Sequence, residues 1–182
     1  RGAEYLKLLD AEIELWARHL GGRPAVSQVH LGGGTPTFLS DEELSWLTAR
    51  LRQSFDWLPG IEASVEIDPR TVTRARLAHL QQLGFNRISY GVQDFDPRVQ
   101  QAVQRVQPFE QVEQLMKDAR ELGFASVNLD LICGLPLQTK TSFNATLQQV
   151  LQLRPERIAL YAYAHLPQRF KAQRRIHSAD IP

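Results

Sequence analysis

Three consecutive glycines follow an apolar segment and offer exposed main chain to a small ligand. Val26, Val29 and Leu31 are apolar and no charged residue interrupts 26–31, which predicts a buried strand, and three glycines, 32–34, come directly after it. Since glycine has no Cβ, the peptide N–H and C=O groups stay open to an amino acid, a nucleoside or a phosphate. Thr35 adds a hydroxyl group. The same residues also suit an ordinary strand-to-helix loop, and they match neither a P-loop nor a dinucleotide fingerprint.

Four side chains with acidic, amide or guanidinium groups, later in the chain, could also contact a polar ligand. Glu66 and Asp130 end apolar stretches, where a carboxylate is costly to bury unless it is paired or liganded. Either could accept from ribose hydroxyls or an ammonium group, or simply pair with a neighbouring Arg, Lys or main-chain N–H. Gln93 could bridge two groups or belong to a loop. Arg105 could hold a ligand carboxylate in bidentate fashion, or it could stay solvated.

Metal-ligating residues are sparse in this sequence. The 5 histidines show no spacing typical of a zinc site, and Cys133 is the 1 cysteine. A lone cysteine excludes a disulfide framework and an all-cysteine metal site within these residues. We interpret Cys133 as a small buried residue rather than a nucleophile. Its isolation favours a reducing, cytoplasmic compartment.

Composition describes an ordinary globular protein. The 182 residues are 43% hydrophobic with a net charge of +1, so no overall field favours nucleic acid or a membrane surface. Charged residues interrupt every long apolar stretch, and we expect no transmembrane helix. We therefore predict neither nucleic acid nor a membrane as a partner.

Segments with strand and helix patterns alternate along the chain. We predict strands over 26–31, 61–67, 85–90, 126–132 and 157–163. We predict helices over 3–20, 40–55, 73–83, 96–104, 109–122 and 139–153, a turn at 59–60, and one helix within the basic tail 168–182. Alternation of this kind favours a parallel α/β sheet. Six unusual residues fall at or just past the carboxyl ends of these strands, where a barrel or a doubly wound sheet binds ligands: Gly33, Gly34, Glu66, Gln93, Asp130 and Ala164.

Six short blocks, taken in order, resemble the radical S-adenosylmethionine (SAM) enzymes of haem synthesis. They are Val-His-Leu-Gly-Gly-Gly-Thr-Pro-Thr at 29–37, Glu-Ile-Asp-Pro-Arg at 66–70, Phe-Asn-Arg-Ile-Ser at 85–89, Gly-Val-Gln-Asp-Phe at 91–95, Asp-Leu-Ile-Cys-Gly-Leu-Pro at 130–136 and Tyr-Ala-His-Leu-Pro at 163–167. The resemblance is greatest to the oxygen-independent coproporphyrinogen III oxidases (dehydrogenases). The related haem chaperones usually carry Ser where this sequence has Asp94.

The resemblance implies a fold and a set of cofactors. We expect a fragment of a partial (β/α)6 TIM-like barrel, with parallel strands and the helices outside, in a family that uses a [4Fe–4S] cluster and two SAM molecules. It implies that the first SAM contacts Gly33 and Glu66. It implies that the second contacts Gly34, Thr35, Gln93, Arg105, Asp130 and Ala164. It assigns no catalytic residue and no metal ligand within these residues.

The resemblance also implies a reaction, the oxidative decarboxylation of coproporphyrinogen III to protoporphyrinogen IX with an unidentified electron donor. The family holds its cluster with a Cys-x-x-x-Cys-x-x-Cys loop, which this sequence lacks. We therefore interpret residues 1–182 as part of the radical SAM catalytic domain, inactive alone, without the first strand, the cysteine loop and the C-terminal domain. The alternative is a non-catalytic SAM- or haem-binding module related to the haem chaperone. Arg174 or Arg175 could pair with a substrate propionate, or belong to a solvated surface.

Overall fold

A curled parallel sheet organises the part of the chain that the structure, a computed structural model, describes, which is residues 2–182. Its strands are β1 Ala25–Leu31, β2 Asp56–Ile67, β3 Arg87–Gln93, β4 Ser126–Cys133 and β5 Arg157–Ala162. Each strand pairs in parallel with the next one along the chain, in the order β1-β2-β3-β4-β5. A doubly wound sheet would reverse its strand order at a switch point. The sequential order is that of a barrel, so the predicted partial TIM-like barrel is confirmed.

Helices connect the strands and cover one face of the sheet. They are α1 Gly2–His19, α2 Asp41–Ser54, α3 Arg74–Gln82, α4 Pro97–Ala102, α5 Phe109–Glu121 and α6 Lys140–Leu153. The predicted start of α2 is confirmed by a reciprocal capping box: Ser40 Oγ accepts from Glu43 N at 3.2 Å, and a Glu43 oxygen accepts from Ser40 N at 2.9 Å. Among residues 2–182, no helix is both long and apolar enough to cross a membrane.

The two faces of the sheet differ in polarity because side chains alternate along each strand. One face of β2 carries Ala63, Val65 and Ile67, which are buried against the helices. The opposite, concave face carries polar side chains on three neighbouring strands: Ser64, Glu66, Ser89, Asn128 and Asp130. The apolar face makes the core, and the concave face can receive a polar ligand.

The outer strands are more exposed than the sequence pattern indicated. We expected residues 26–31 to form a buried strand, yet no residue of β1 is fully buried. The reason is its place at the edge of the sheet, where it pairs with β2 alone among the described strands. At the opposite edge, β5 exposes Ile158, Leu160 and Tyr161.

Three predicted boundaries were wrong in informative ways. The turn predicted at 59–60 lies inside β2, where the pairing jumps from Val26 with Trp57 to Gln28 with Glu62. Pro and Gly are accommodated there because the ladder is already irregular. The third strand begins at Arg87 and continues to Gln93, later than predicted. The tail forms two short 3-10 helices, Lys171–Arg175 and Ser178–Asp180, instead of one longer helix.

Candidate functional site

A narrow cleft opens where the carboxyl ends of β1 to β4 meet. We call it the strand-end cleft, and its lining residues are Gly34, Thr35, Glu66, Ile67, Asp68, Gly91, Gln93, Arg105 and Asp130. Six of the eight residues predicted to bind cofactor are among them. Parallel strands bring these positions together although up to 96 residues separate them in the sequence, from Gly34 to Asp130.

The glycine loop is joined to the end of β2 at one side of the cleft. Gly33 and Gly34 have φ values of +76° and +57°, the left-handed region that favours glycine. Gly33 N donates to Glu66 Oε2 at 3.0 Å. The other carboxylate oxygen, Oε1, lies 3.2 Å from Nε2 of His30, whose Nδ1 is 2.8 Å from Ser64 Oγ. Although Gly33 lines a neighbouring cavity and not this cleft, its amide orients the Glu66 carboxylate that does.

Gly32 is required for the contact between His30 and Glu66. A Cβ atom at position 32 would lie 2.4 Å from His30 Nε2 and 2.8 Å from Glu66 Oε1. Both distances are far inside van der Waals contact, so any larger residue would separate the two side chains. Each of the first two glycines thus serves the same carboxylate, Gly32 by its small size and Gly33 through its N–H.

Asp130 is supported by neutral donors on the concave face. Its Oδ1 accepts from Ser89 Oγ at 2.9 Å and from Asn128 Nδ2 at 2.6 Å. Partial burial raises the pKa of Asp130, and the hydrogen bonds from Ser89 and Asn128 act in the opposite direction. Both hydrogen bonds use Oδ1, which leaves Oδ2 available to a donor in the cleft, such as a ribose hydroxyl.

Gln93 and Arg105 each have a buried side-chain atom that makes no hydrogen bond within the described residues. Gln93 has φ of +70° at the point where the β3–β4 register shifts. Its Oε1 and the Nε of Arg105 are both buried without a hydrogen-bond partner among the described residues. Buried polar atoms are nearly always satisfied in folded proteins, so an acceptor and a donor in one cleft offer hydrogen-bonding capacity that a polar ligand or water can use.

The Arg105 guanidinium is held at its other end. Arg105 Nη2 donates to Gly91 O at 3.0 Å and lies 3.6 Å from Asp68 Oδ2. Burial lowers the pKa of Arg105, with the Asp68 carboxylate acting against that shift and the Arg70 charge adding to it. A guanidinium that is partly desolvated and has only a distant carboxylate partner is well suited to bind an anionic group.

Ala164 and the basic tail lie beside the cleft instead of lining it. Ala164 follows β5, and its carbonyl accepts from Gln173 Nε2 at 3.0 Å. Arg175 lines a neighbouring cavity that also borders Gln93 and Arg105, whereas Arg174 Nε donates to Pro167 O at 3.1 Å. Both arginines lie in a short 3-10 helix, Lys171–Arg175, and not in the single longer helix that was predicted for the tail.

Sequence reasoning missed the residues that support the cleft. Ser89 and Asn128 were not singled out, although Asn128 precedes Asp130 by two positions, as Ser64 precedes Glu66. In a strand that spacing puts both side chains on one face, so it was a usable signal. No group of three or more His, Cys, Asp or Glu within residues 2–182 is arranged to hold a metal ion.

Comparison with known proteins assigns the fold to a family. The family model described as the radical SAM superfamily matches residues 3–150. The oxygen-independent coproporphyrinogen III oxidase of Pseudomonas aeruginosa is 47% identical over 184 residues, which is 100% of this chain and 40% of that protein. The enzyme of the same name from Helicobacter pylori strain J99 is 45% identical over 98% of this chain and 39% of its own length.

Solved structures agree with these sequence matches. The coproporphyrinogen III oxidase of Escherichia coli, described as a radical SAM enzyme, has a TM-score of 0.94 and 48% identity, covering 100% of this chain and 42% of that one. Methylornithine synthase shares the fold with a TM-score of 0.61 at 14% identity, over 85% of this chain and 44% of that one. The chain thus spans about 40% of the length of the curated relatives it matches. It belongs to the radical SAM superfamily.

Proposed function

We propose that the strand-end cleft binds SAM. The observation that carries this proposal is the pair of buried atoms without a partner among the described residues, Gln93 Oε1 and Arg105 Nε, in a cleft that is also lined by the carboxylates Glu66, Asp68 and Asp130. SAM carries a carboxylate, an ammonium group and ribose hydroxyls, and the cleft offers a complementary group for each. Arg105 would take the carboxylate and Asp130 the ribose hydroxyls.

Glu66 and the glycine loop complete the polar contacts. Glu66 is oriented by Gly33 N and His30, and its carboxylate would accept from the methionyl ammonium group together with carbonyl oxygens of the glycine loop. The division into a first SAM at Gly33 and Glu66 and a second at the remaining residues stays a prediction, as does the contact at Ala164. In this family, bound SAM and a reduced [4Fe–4S] cluster together supply one-electron chemistry that removes hydrogen from a substrate.

The iron–sulfur cluster does not fit residues 1–182. A cluster needs several thiolate ligands, and the sequence contains 1 cysteine. Cys133 lies at the end of β4, partly buried and free. We propose that the cluster ligands belong to other parts of a longer protein, because the chain spans about 40% of the length of its curated relatives.

We further propose that the chain is part of the catalytic domain of an oxygen-independent coproporphyrinogen III oxidase. Relatives with this name match nearly every residue of the chain at 44–48% identity in seven of the proteins compared. The substrate would be coproporphyrinogen III, two of whose propionates lose CO2 to become vinyl groups in protoporphyrinogen IX. We infer a cytoplasmic protein that receives electrons from a separate donor. These residues bind and orient SAM and exclude water from it.

Equilibrium dialysis of SAM against the full-length protein tests the binding site. Arg105→Ala should weaken binding about 10- to 100-fold, because a charge-assisted contact contributes about 1.5–3 kcal/mol. Arg18→Ala is the matched control, since Arg18 is exposed on α1 and contacts only Glu14 of the same helix. Unchanged affinity in Arg105→Ala would reject the assigned site.

An anaerobic assay of the full-length protein separates the enzyme from the non-catalytic alternative. Coproporphyrinogen III, SAM and a chemical reductant should give protoporphyrinogen IX and CO2. SAM binding without decarboxylation of any added porphyrinogen would favour a binding module related to the haem chaperone.

A further inference from the structure

Asp94 is a buried carboxylate that the proposed binding contacts do not use. It is 1% exposed, and no Lys or Arg of the described residues forms an ion pair with it. Asp94 Oδ1 accepts from Asp96 N at 2.7 Å and from Thr146 Oγ1 at 2.6 Å, and Oδ2 accepts from Gln138 Nε2 at 2.5 Å. A buried anion held only by neutral donors is expensive, so its position needs an explanation.

The donors to Asp94 come from different segments of the fold. Thr146 belongs to α6, and Gln138 belongs to the loop after β4. Gln138 is itself fixed, because its Oε1 accepts from Gly134 N at 2.6 Å while its Nε2 also donates to Ile132 O at 3.0 Å. The carboxylate therefore joins the segment after β3 to the loop after β4 and to α6.

The residue before Asp94 is Gln93, which lines that cleft in a conformation unfavourable for its type. A left-handed φ costs a non-glycine residue roughly 1–2 kcal/mol, and it persists only where surrounding contacts impose it. Those contacts are present: Gln100 Nε2 donates to Asp94 O at 2.9 Å, and Gln107 Nε2 donates to Val92 O. Both glutamines are buried.

The same network reaches Arg105 along the chain. Asp94 accepts from the main chain of Asp96, the residue that caps α4, and this fixes where the helix begins. Helix α4 carries Gln100, whose carbonyl accepts from Arg105 N at 2.8 Å. Asp94 thus lies between Gln93 and α4, in the segment that carries Gln93 Oε1 and Arg105 Nε, the two atoms without partners among the described residues.

We infer that Asp94 is a positioning residue that sets the geometry of Gln93 and Arg105 for a bound nucleoside-type ligand, with Gln138 as its obligatory partner. This inference rests on the proposal that the strand-end cleft binds SAM. Asp94 touches no ligand. It acts by holding the loops after β3 and β4 in one arrangement, so that the two cleft side chains need not be ordered when the ligand binds.

The polarity of the Asp94–Gln138 contact provides a specific test. Because Gly134 N and Ile132 O fix the Gln138 amide, the group facing Asp94 must be an NH2 donor. In Asp94→Asn, the new NH2 group would face either the Gln138 NH2 group or the donors Asp96 N and Thr146 Oγ1. Either arrangement places two donors against each other. In the double variant Asp94→Asn with Gln138→Glu, the acid and the amide exchange places. The contact between the two side chains and the contact with Gly134 N are kept, whereas the bond to Ile132 O is replaced by two oxygen acceptors that face each other.

The experiment measures SAM affinity and melting temperature in the full-length protein. Asp94→Asn should weaken SAM binding about tenfold or more, and Gln138→Glu should weaken it similarly because two carboxylates then meet. The double variant should bind SAM more tightly than either single variant, since the contact between positions 94 and 138 is restored. If the double variant regains a larger share of SAM affinity than of melting temperature, the result supports a positioning role for Asp94. Wild-type affinity in Asp94→Asn, or no recovery in the double variant, overturns the inference.

Three further variants keep the outcomes separate. Arg105→Ala reports on the proposed site itself: if it binds SAM normally, the proposed function has failed, whereas loss there with normal binding in Asp94→Asn rejects the inference alone. Thr146→Ala removes one donor to Asp94 with less disturbance, and Thr146→Ser retains the hydroxyl. Should Asp94→Asn not fold, weaker binding in Thr146→Ala than in Thr146→Ser supports the inference, and equal binding rejects it.

Discussion

The main-chain N–H of Gly33 donates to Glu66 Oε2 across 3.0 Å, so the loop after β1 is held by the last polar side chain of β2. His30 contacts the other oxygen of the same carboxylate at 3.2 Å. Glycine loop and acid therefore form one unit, and a change in either is expected to alter the other. This coupling makes Glu66 the first residue to test.

Glu66→Gln should leave the fold nearly intact and weaken SAM binding. The amide oxygen can still accept from Gly33 N, and the NH2 group can face the His30 ring, but the negative charge for an ammonium group is gone. We expect about a tenfold loss of affinity in the full-length protein, measured by equilibrium dialysis. Glu113→Gln is the control, because the Glu113 side chain on α5 is 43% exposed and pairs with Lys117 of the same helix. A loss of melting temperature as large as in a core variant would contradict this reading.

Gly34→Val should affect both the backbone and the cleft. No neighbouring atom lies within 4 Å of a Cβ at position 34, so the steric cost is the left-handed φ of +57° alone, roughly 1–2 kcal/mol. Gly21 also has a positive φ, +87°, and open space around it, but it lies at the end of α1, away from the cleft. Gly21→Val should therefore lower stability similarly without weakening SAM binding. Equal SAM affinity in the two variants would make position 34 purely structural.

Asp130→Asn should weaken SAM binding and raise the stability of the ligand-free protein. Since burial raises the pKa of Asp130 above its ordinary value of 3.8, the native state keeps this proton to a higher pH than the unfolded chain does. The contribution of this proton to the free energy of unfolding is fully present below the pKa of the unfolded state. It is lost as pH rises through the pKa of the native state. Asn cannot ionise, so thermal unfolding of the ligand-free full-length variant should show a higher melting temperature at pH 7 and a flatter profile across the acidic range.

The same variant tests the division between two SAM sites. Asp130→Asn should lower occupancy of the second site and leave the first, at Gly33 and Glu66, intact. A binding titration that counts bound SAM per protein distinguishes these outcomes. Equal loss at both sites would argue against the division.

Arg175→Ala should affect substrate handling more than Arg174→Ala. Arg175 lines a cavity that borders Gln93 and Arg105, whereas Arg174 donates to the main chain of the tail. If a substrate propionate meets this guanidinium, KM for coproporphyrinogen III should rise several-fold in Arg175→Ala, with SAM affinity unchanged. An identical KM in both variants would leave the basic tail as surface.

The sequence predicted the architecture well because parallel strands and their helices leave strong periodic signals. It also predicted six of the residues that line the cleft, on the strength of a resemblance that spans the chain. The edge position of β1 was missed, because an apolar strand looks the same in sequence whether or not a neighbour covers it. The irregular pairing around Pro59 was missed for a related reason, since Pro-Gly usually ends a strand.

The sequence pattern could not predict the features of the site that depend on contacts between residues far apart in the chain. Gln93 and Arg105 were identified one at a time, and only the structure shows that Gln93 Oε1 and Arg105 Nε are both buried without a partner among the described residues. The role of Gln138 is likewise invisible in sequence, because its partner Asp94 lies 44 residues earlier. Local reasoning finds the groups, and tertiary structure decides which of them are satisfied.

The spatial order of the strands, which repeats their order in the chain, has a consequence for how the protein is made. Each strand pairs with the one synthesised just before it, so every new strand–helix unit can add to an edge that already exists. No strand has to wait for a distant segment to be inserted beside it, which keeps loop-closure costs low. The sheet can therefore grow from β1 to β5 while the chain is still leaving the ribosome.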